Sequence, residues 1–433
     1  MIRLRTACVA GLLACALAAP QPAAALDLEG ALREVAAANP TLEARREMVV
    51  AAEHRVARAG AWQSPMLELG VVDVPTTGSF DTDPMTMKTI GITQRLPLFG
   101  ANGLARRSAR EAAAAEGAAS EMSRFEMYGA ALQAYADAYF SGELVRLADS
   151  HRGAVDRLVE SARARYQSAN GRLEDVLTAE AERARTRVDL AAFGAEVAEA
   201  RALLATLRGA DPGGAADSLA APPLAEVSAS PDPWLAAVAA SHPRLRELEA
   251  QVGRYRDEAS AARRRTWPDL ELRGSYGWRE TLAGGIPQED LFSATVGFTV
   301  PVFAAQRERS EGAEMDALAR AGVSERRAAE LELRRQVVAA HAAAAAAGRA
   351  VHLLADTVVV TERGAVEAAW SAYRTGATDL WRVFEATHSV YGEEVALVRA
   401  RRDLARAEGR LLSLTGRGDL LGVALPVVKE GGR

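Results

Sequence analysis

Cysteine is nearly absent from this 433-residue chain: Cys8 and Cys15 are the only two, and both lie at the extreme N-terminus. If that segment is removed on export, disulfides, thiolate metal sites and cysteine nucleophiles are excluded from the mature protein. Aromatic residues make up only 5%, and alanine fills much of the apolar inventory, which suits close helix packing better than a thick mixed core. Proline is missing between Pro97 and Pro212 and again between Pro301 and Pro426, so two long stretches are free to be helical. The formal net charge of -5 gives no reason to expect a nucleic-acid partner. The six histidines, His54, His151, His242, His341, His352 and His388, show no metal-ligand spacing, and no serine sits in a nucleophile elbow. No catalytic residue, cofactor or metal site is therefore expected, and the chain does not read as an enzyme.

What is present begins with "MIRLRTACVAGLLACALAAPQPAAA": two early arginines, an apolar stretch, and an Ala-x-Ala site at Ala23 and Ala25. This pattern predicts a signal peptide over 1–25, with a mature chain starting near Leu26. The segment "LLAC" from Leu12 to Cys15 also reads as a lipoprotein cleavage box, which would leave Cys15 lipidated. After the signal no segment is expected to be apolar enough for a membrane-spanning helix. Export then leaves the periplasm, the medium or an outer-membrane barrel.

The rest is a tandem duplication. "ALREVAAANPTLEARR" from Ala31 matches "WLAAVAASHPRLRELE" from Trp234, "SPMLEL" at Ser64 matches "WPDLEL" at Trp267, "LPLF" at Leu96 matches "VPVF" at Val300, and Tyr166 matches Tyr373. The expected organisation is a first repeat over 26–210, a Pro/Gly/Ala-rich linker over 211–232, a second repeat over 233–418 and a tail over 419–433. Each repeat predicts a helix (28–62; 233–266), a strand, a loop, a second strand, and two helices joined by a tyrosine-led turn, "YQSANGRLEDVL" or "YRTGATDLWRVF".

Side chains alternate faces along a strand. Leu270, Leu272, Tyr276 and Trp278 share one parity against Glu271, Arg273 and Ser275. Phe292, Ala294, Val296, Phe298 and Val300 oppose Ser293, Thr295, Gly297 and Thr299. The first repeat follows with Leu67, Leu69 and Val71 against Glu68 and Gly70, and with Ile90, Ile92 and Leu96 against Thr89, Thr93 and Arg95. One apolar and one polar face fits transmembrane strands, and equally a soluble sandwich; the export signal favours lipid. Four strands cannot close a barrel, so two or three chains must contribute to one. The returning helices carry three-four spaced seams, Leu190, Phe193, Val197, Ala200, Leu204, Leu207 and Leu397, Ala400, Leu404, Ala407, Leu411, Leu414. Each returning helix, shorter than its outgoing partner, is expected to stack end to end with an initial helix.

In duplicated order, "ALREVAAANPTL", "SPMLELG", "ITQRLPLFG", "TVPVF" and the two turns resemble the TolC family of outer-membrane efflux channels over nearly the whole mature chain. The resemblance implies an α+β membrane protein: a homotrimer with a 12-stranded barrel in outer-membrane lipid and a coiled-coil-like α-helical tunnel across the periplasm. It implies an exit duct that works with a periplasmic adaptor and an inner-membrane pump of the RND or ABC type. It puts the tip turns (Tyr166, Gly171, Gly376) at the closed tunnel mouth, makes Asp175 and Tyr373 gate partners, and places Glu385 at a carboxylate ring. Arg382 departs from the family, where an acidic residue is common, and is expected to pair with Glu385 or Asp379. A type I protein-secretion duct and a non-channel coiled-coil adaptor remain open. Several stretches lean toward the heavy-metal branch, and the loop "SFDTDPMTM", with Asp81, Asp83, Met85 and Met87, offers groups that could touch soft metals.

Overall fold

The computed structural model describes residues 25–97, 100–214, 218–300, 302–303 and 306–426. The expected signal peptide with Cys8 and Cys15, the end of "LPLF" at 98–99, Pro301 and the tail from 427 lie outside the described residues. Each repeat runs through the same elements. The first contains α1 (Leu28–Ala38), α2 (Pro40–Ala59), β1 (Met66–Val72), β2 (Met87–Leu96), α3 (Ala101–Gln167) and α4 (Leu173–Leu207). The second contains α5 (Asp232–Ser241), α6 (Pro243–Arg264), β3 (Leu270–Trp278), β4 (Leu291–Phe298), α7 (Glu308–Leu353), α8 (Val359–Arg374) and α9 (Leu380–Thr415). A single π-helical turn, Leu354–Val358, joins α7 to α8.

The initial helix of each repeat is broken, where one continuous helix was expected. Pro40 and Pro243 disfavour a helical conformation in the residue before them, so Asn39 (ψ 120) and His242 (ψ 129) leave the helix and cap the next one. The outgoing arms are as long as expected. α3 has 67 residues, and Glu308–Arg374 is also a 67-residue run, about 100 Å at 1.5 Å per residue. That second arm corrects one expectation, because it contains a window long and apolar enough to cross a membrane by length and composition. The window is alanine-rich, and Val337, Ala340 and Ala344 of the same arm are buried in the helical core.

The four strands form one antiparallel sheet in the order β1-β2-β3-β4. Its register lines up the parities read from sequence: Leu69 pairs with Ile90, Ile90 with Tyr276 and Tyr276 with Phe292. Leu69 and Phe292 remain 72% and 73% exposed, so this face is unpartnered within one chain. The other parity carries Glu68, which accepts from Thr93 Oγ1 at 3.3 Å and pairs with Arg273 across two strands. Two residues of β2 break the apolar parity: Lys88 at the sheet's end, level with Val71 and Trp278, pairs with Glu280, and Gln94, level with Leu272, donates to Gln63 O at 3.0 Å and to Arg95 O at 2.9 Å.

The core sits where the returning helices meet the initial ones. Asn39 Oδ1 accepts from the Thr41 and Leu42 amides while its Nδ2 donates to Leu207 O at 2.8 Å. In the second repeat His242 Nδ1 accepts from Arg244 N while Nε2 lies 2.9 Å from Leu414 O, so the ring is the neutral Nε2–H tautomer. Each side chain thus caps one helix and ties down the last carbonyls of another. Gly209 and Gly416 end the joints at φ 72 and 65, and a Cβ there would lie 2.3 Å from Ala38 O or 2.2 Å from the Phe125 ring. These joints produce the end-to-end stacking expected from helix length. The linker crosses this waist as a strap. Tyr135 Oη lies 2.7 Å from the Leu26 and Ala220 carbonyls, Ala225 N donates to buried Glu408 at 2.8 Å, and His341 Nε2 reaches Ser228 O at 2.7 Å. Burial pushes the Glu408 carboxyl up to about 7.

Candidate functional site: the paired tip turns

At the opposite end from the sheet, the two turns share one backbone. Ser168, Ala169 and Asn170 donate to the carbonyls of Ala164, Tyr166 and Arg165; Thr375, Gly376 and Ala377 donate to those of Ser371, Tyr373 and Ala372. The crossed pattern closes a helix C-terminus and needs one left-handed residue. Gly376 fills that place at φ 77, and in the first turn it is Ala169, at φ 58, not the glycine singled out from sequence. Gly171 serves close approach instead, since a Cβ there would lie 2.9 Å from Arg165 Cβ and 3.0 Å from Tyr166 N.

The following helices are capped in opposite senses. Ahead of α4 the capping residue is Arg172, which has no acceptor, and Asp175 three positions later accepts from Arg172 N at 3.4 Å. Ahead of α9 the capping residue is Asp379, whose Oδ1 accepts from Arg382 N at 3.3 Å. The two turns therefore each carry one half of a capping box. Asp175 and Arg382 occupy equivalent positions because the carboxylate has moved to the other end of the box. Arg382 also reaches Glu385 at 2.9 Å, so the expected ring carboxylate carries a cationic neighbour; both side chains are more than half exposed.

Among the described residues no hydrogen bond joins Asp175 to Tyr373 within one chain; Asp175 accepts from Arg172 N instead. Tyr373 is half-buried, with the Arg165 guanidinium 5.1 Å from its ring centroid and Trp370 edge-on at 5.9 Å. Tyr166, its repeat mate, is exposed. Asp175, Asp379, Arg165, Arg172 and Trp381 line an open cleft of about 620 Å³ between the turns. In the "SFDTDPMTM" loop, Asp83 accepts from Met85 N at 2.8 Å, Asp81 pairs with Ser79, and Met87 begins β2.

A second pattern escapes the first reading. Asp175, Glu182, Asp189 and Glu196 recur every seventh residue along α4. Above the tip they face α9: Glu182 meets His388 at 2.8 Å, Asp189 meets Tyr391 at 3.0 Å, and Glu196 meets Arg402 at 2.7 Å. His151 of α3 joins Glu182 at 3.3 Å, so residues scattered along the sequence form a His–Glu–His group that spacing could not have shown. Hydrogen bonds from His151 and then His388 hold the Glu182 carboxyl down to about 2.

Comparison with known proteins agrees with this architecture. A family described as outer membrane efflux protein matches residues 234–417. Along the chain there is 26% identity over 419 residues to the outer membrane efflux protein BepC of Brucella suis biovar 1 (strain 1330), covering 94% of this chain and 90% of BepC. The fold is similar to the open state of the Neisseria gonorrhoeae MtrE outer membrane channel, with a TM-score of 0.75, 18% identity, and coverage of 90% of this chain and 88% of MtrE. It is equally similar to CusC, described in connection with transmembrane channel formation, with a TM-score of 0.75, 15% identity and 92% of each chain covered.

Proposed function

We propose that this chain, an outer membrane efflux protein of the TolC family, is the exit duct of a tripartite efflux system and closes its barrel as a homotrimer of about twelve strands. The sheet carries this reading. Its apolar rows are in register across all four strands, and among the described residues β1 and β4 each pair on one side only. An unpaired backbone group in lipid costs several kcal/mol, so pairing β4 of one copy with β1 of the next removes every edge. The helical wall has matching borders. Leu177, Val188 and Leu203 of α4, and Leu331, Leu353 and Val360 of the second arm, are large apolar residues half or more exposed in one chain.

In this reading residues 1–25 direct export, the strands lie in the outer membrane, and the arms cross the periplasm to a mouth built from six turns, two per copy. A periplasmic adaptor and an RND- or ABC-type pump bind there and open it, and small toxic molecules or heavy-metal ions pass through passively. Asp175, Tyr373, Asp379, Arg382 and Glu385 control the mouth. Extracting the membrane protein in mild detergent and weighing it by native mass spectrometry tests the reading. Three chains per particle are expected, whereas a freely soluble monomer would contradict it.

A further inference from the structure

We propose that His151, Glu182 and His388 form a binding site for one divalent transition-metal ion of the zinc class, clamping α3, α4 and α9 together between the waist and the tip. One ligand comes from each helix: His151 Nε2, Glu182 Oε1 and His388 Nδ1. Their three ligand atoms lie within 4.8 Å of one another, with the two contacts to Glu182 at 3.3 and 2.8 Å. Tetrahedral coordination with bonds of about 2.0–2.1 Å separates neighbouring ligand atoms by about 3.3 Å, so the set needs only small shifts to close on an ion.

The surroundings suit that use. The Glu182 and His151 side chains are 2% and 4% exposed, while His388 is 55% exposed, leaving one side open for entry and for water as a further ligand. The His151 ring is fixed by stacking on Tyr391, with centroids 4.0 Å apart and planes within 6°, and Tyr391 is held by its hydroxyl donating to Asp189 at 3.0 Å. Such outer contacts orient a ligating imidazole. Buried Glu182 carries a negative charge whose nearest formal cation, Arg185, stands 3.4 Å from its other oxygen and is largely exposed. Two neutral imidazoles with one carboxylate would leave a divalent ion's complex at a net +1, and the nitrogen donors select zinc-like ions over calcium or magnesium. Binding requires that each ligating imidazole nitrogen be free of its proton.

Among the described residues the site occurs once per chain. The equivalent positions in the other repeat are Val358, Ala181 and Ser389, which offer no comparable set of donors. Its existence does not depend on what the duct transports, so loss of the site and loss of channel activity are separate results.

The test is equilibrium dialysis of the full-length protein in detergent against zinc chloride, read by elemental analysis, with X-ray absorption at the zinc edge. One zinc per chain is expected, with two imidazole nitrogens and one carboxylate oxygen in the first shell. His388→Ala, at the exposed position, should weaken binding at least tenfold, and His151→Ala should do the same, whereas His54→Ala should bind like the unmodified protein. Substoichiometric zinc, or zinc held equally well by His388→Ala, overturns the proposal.

Discussion

The two repeats share a skeleton but satisfy it with different chemistry. Both waist joints end at a glycine in a left-handed conformation, yet Asn39 makes the clasp in one and His242 in the other. Both tip turns use the same crossed hydrogen bonds, yet the left-handed place holds Ala169 in one and Gly376 in the other. The backbone requirement is common to both repeats, while the side chains that meet it differ. Equivalent substitutions in the two repeats should therefore have unequal effects.

The largest effect is expected at the joints. Gly209→Ala drives a methyl into the Ala38 carbonyl, which the backbone holds in place, while Gly416→Ala meets the Phe125 ring, which can turn aside. We expect Gly209→Ala to cost about 2–4 kcal/mol and Gly416→Ala less, in helical unfolding followed by far-UV circular dichroism. Equal losses would mean that the two joints are equally rigid.

Next comes pH. Burial lowers the His242 pKa, with Arg246 adding to the depression while Glu121 and the Leu414 carbonyl oppose it. The native joint therefore uses neutral imidazole. Its contribution is fully present above the unfolded-state value of about 6.5 and is lost as pH falls through that value toward the lower folded one. The Asn39 joint has no such dependence. His242→Asn should flatten the acid limb of the stability profile between pH 7 and 5, measured by thermal unfolding, and an unchanged limb would assign it to other groups.

The caps come third. Asp379→Ala removes an N-cap acceptor and should cost about 1 kcal/mol. Asp175→Ala removes a longer contact to the capping residue and should cost less. If Asp175 also latches the mouth, single-channel conductance should rise in Asp175→Ala while Asp379→Ala leaves it closer to the original. The smallest effects separate the turns themselves. Ala169→Gly should stabilise by about 0.5–1 kcal/mol and Gly376→Ala should destabilise by a similar amount, because only the left-handed place distinguishes them.

Much of this was legible in the sequence because it follows from short periods. Alternation at two gave the strand faces, and the proline-free stretches gave the long arms. Matching tyrosines gave the turns. Features set by tertiary contact were not legible. Gly171 was legible as a turn residue, but not that Ala169 takes the left-handed place while Gly171 makes room for Arg165. The halves of the capping box could be read as mismatched charges until each carboxylate was seen on its amide. The Pro40 and Pro243 breaks were visible as residues but not as joints, since their use lies in a carbonyl more than 160 residues away. The His151–Glu182–His388 group was hidden for the same reason.

The most direct test of the central claim, that the sheet is one third of a lipid-embedded duct, is single-channel recording of the detergent-purified oligomer in planar bilayers. Discrete, stable conductance steps that disappear when the oligomer is heat-dissociated into single chains are predicted. A preparation that inserts as single chains, or that conducts nothing with and without Asp175→Ala and Tyr373→Ala, would contradict it.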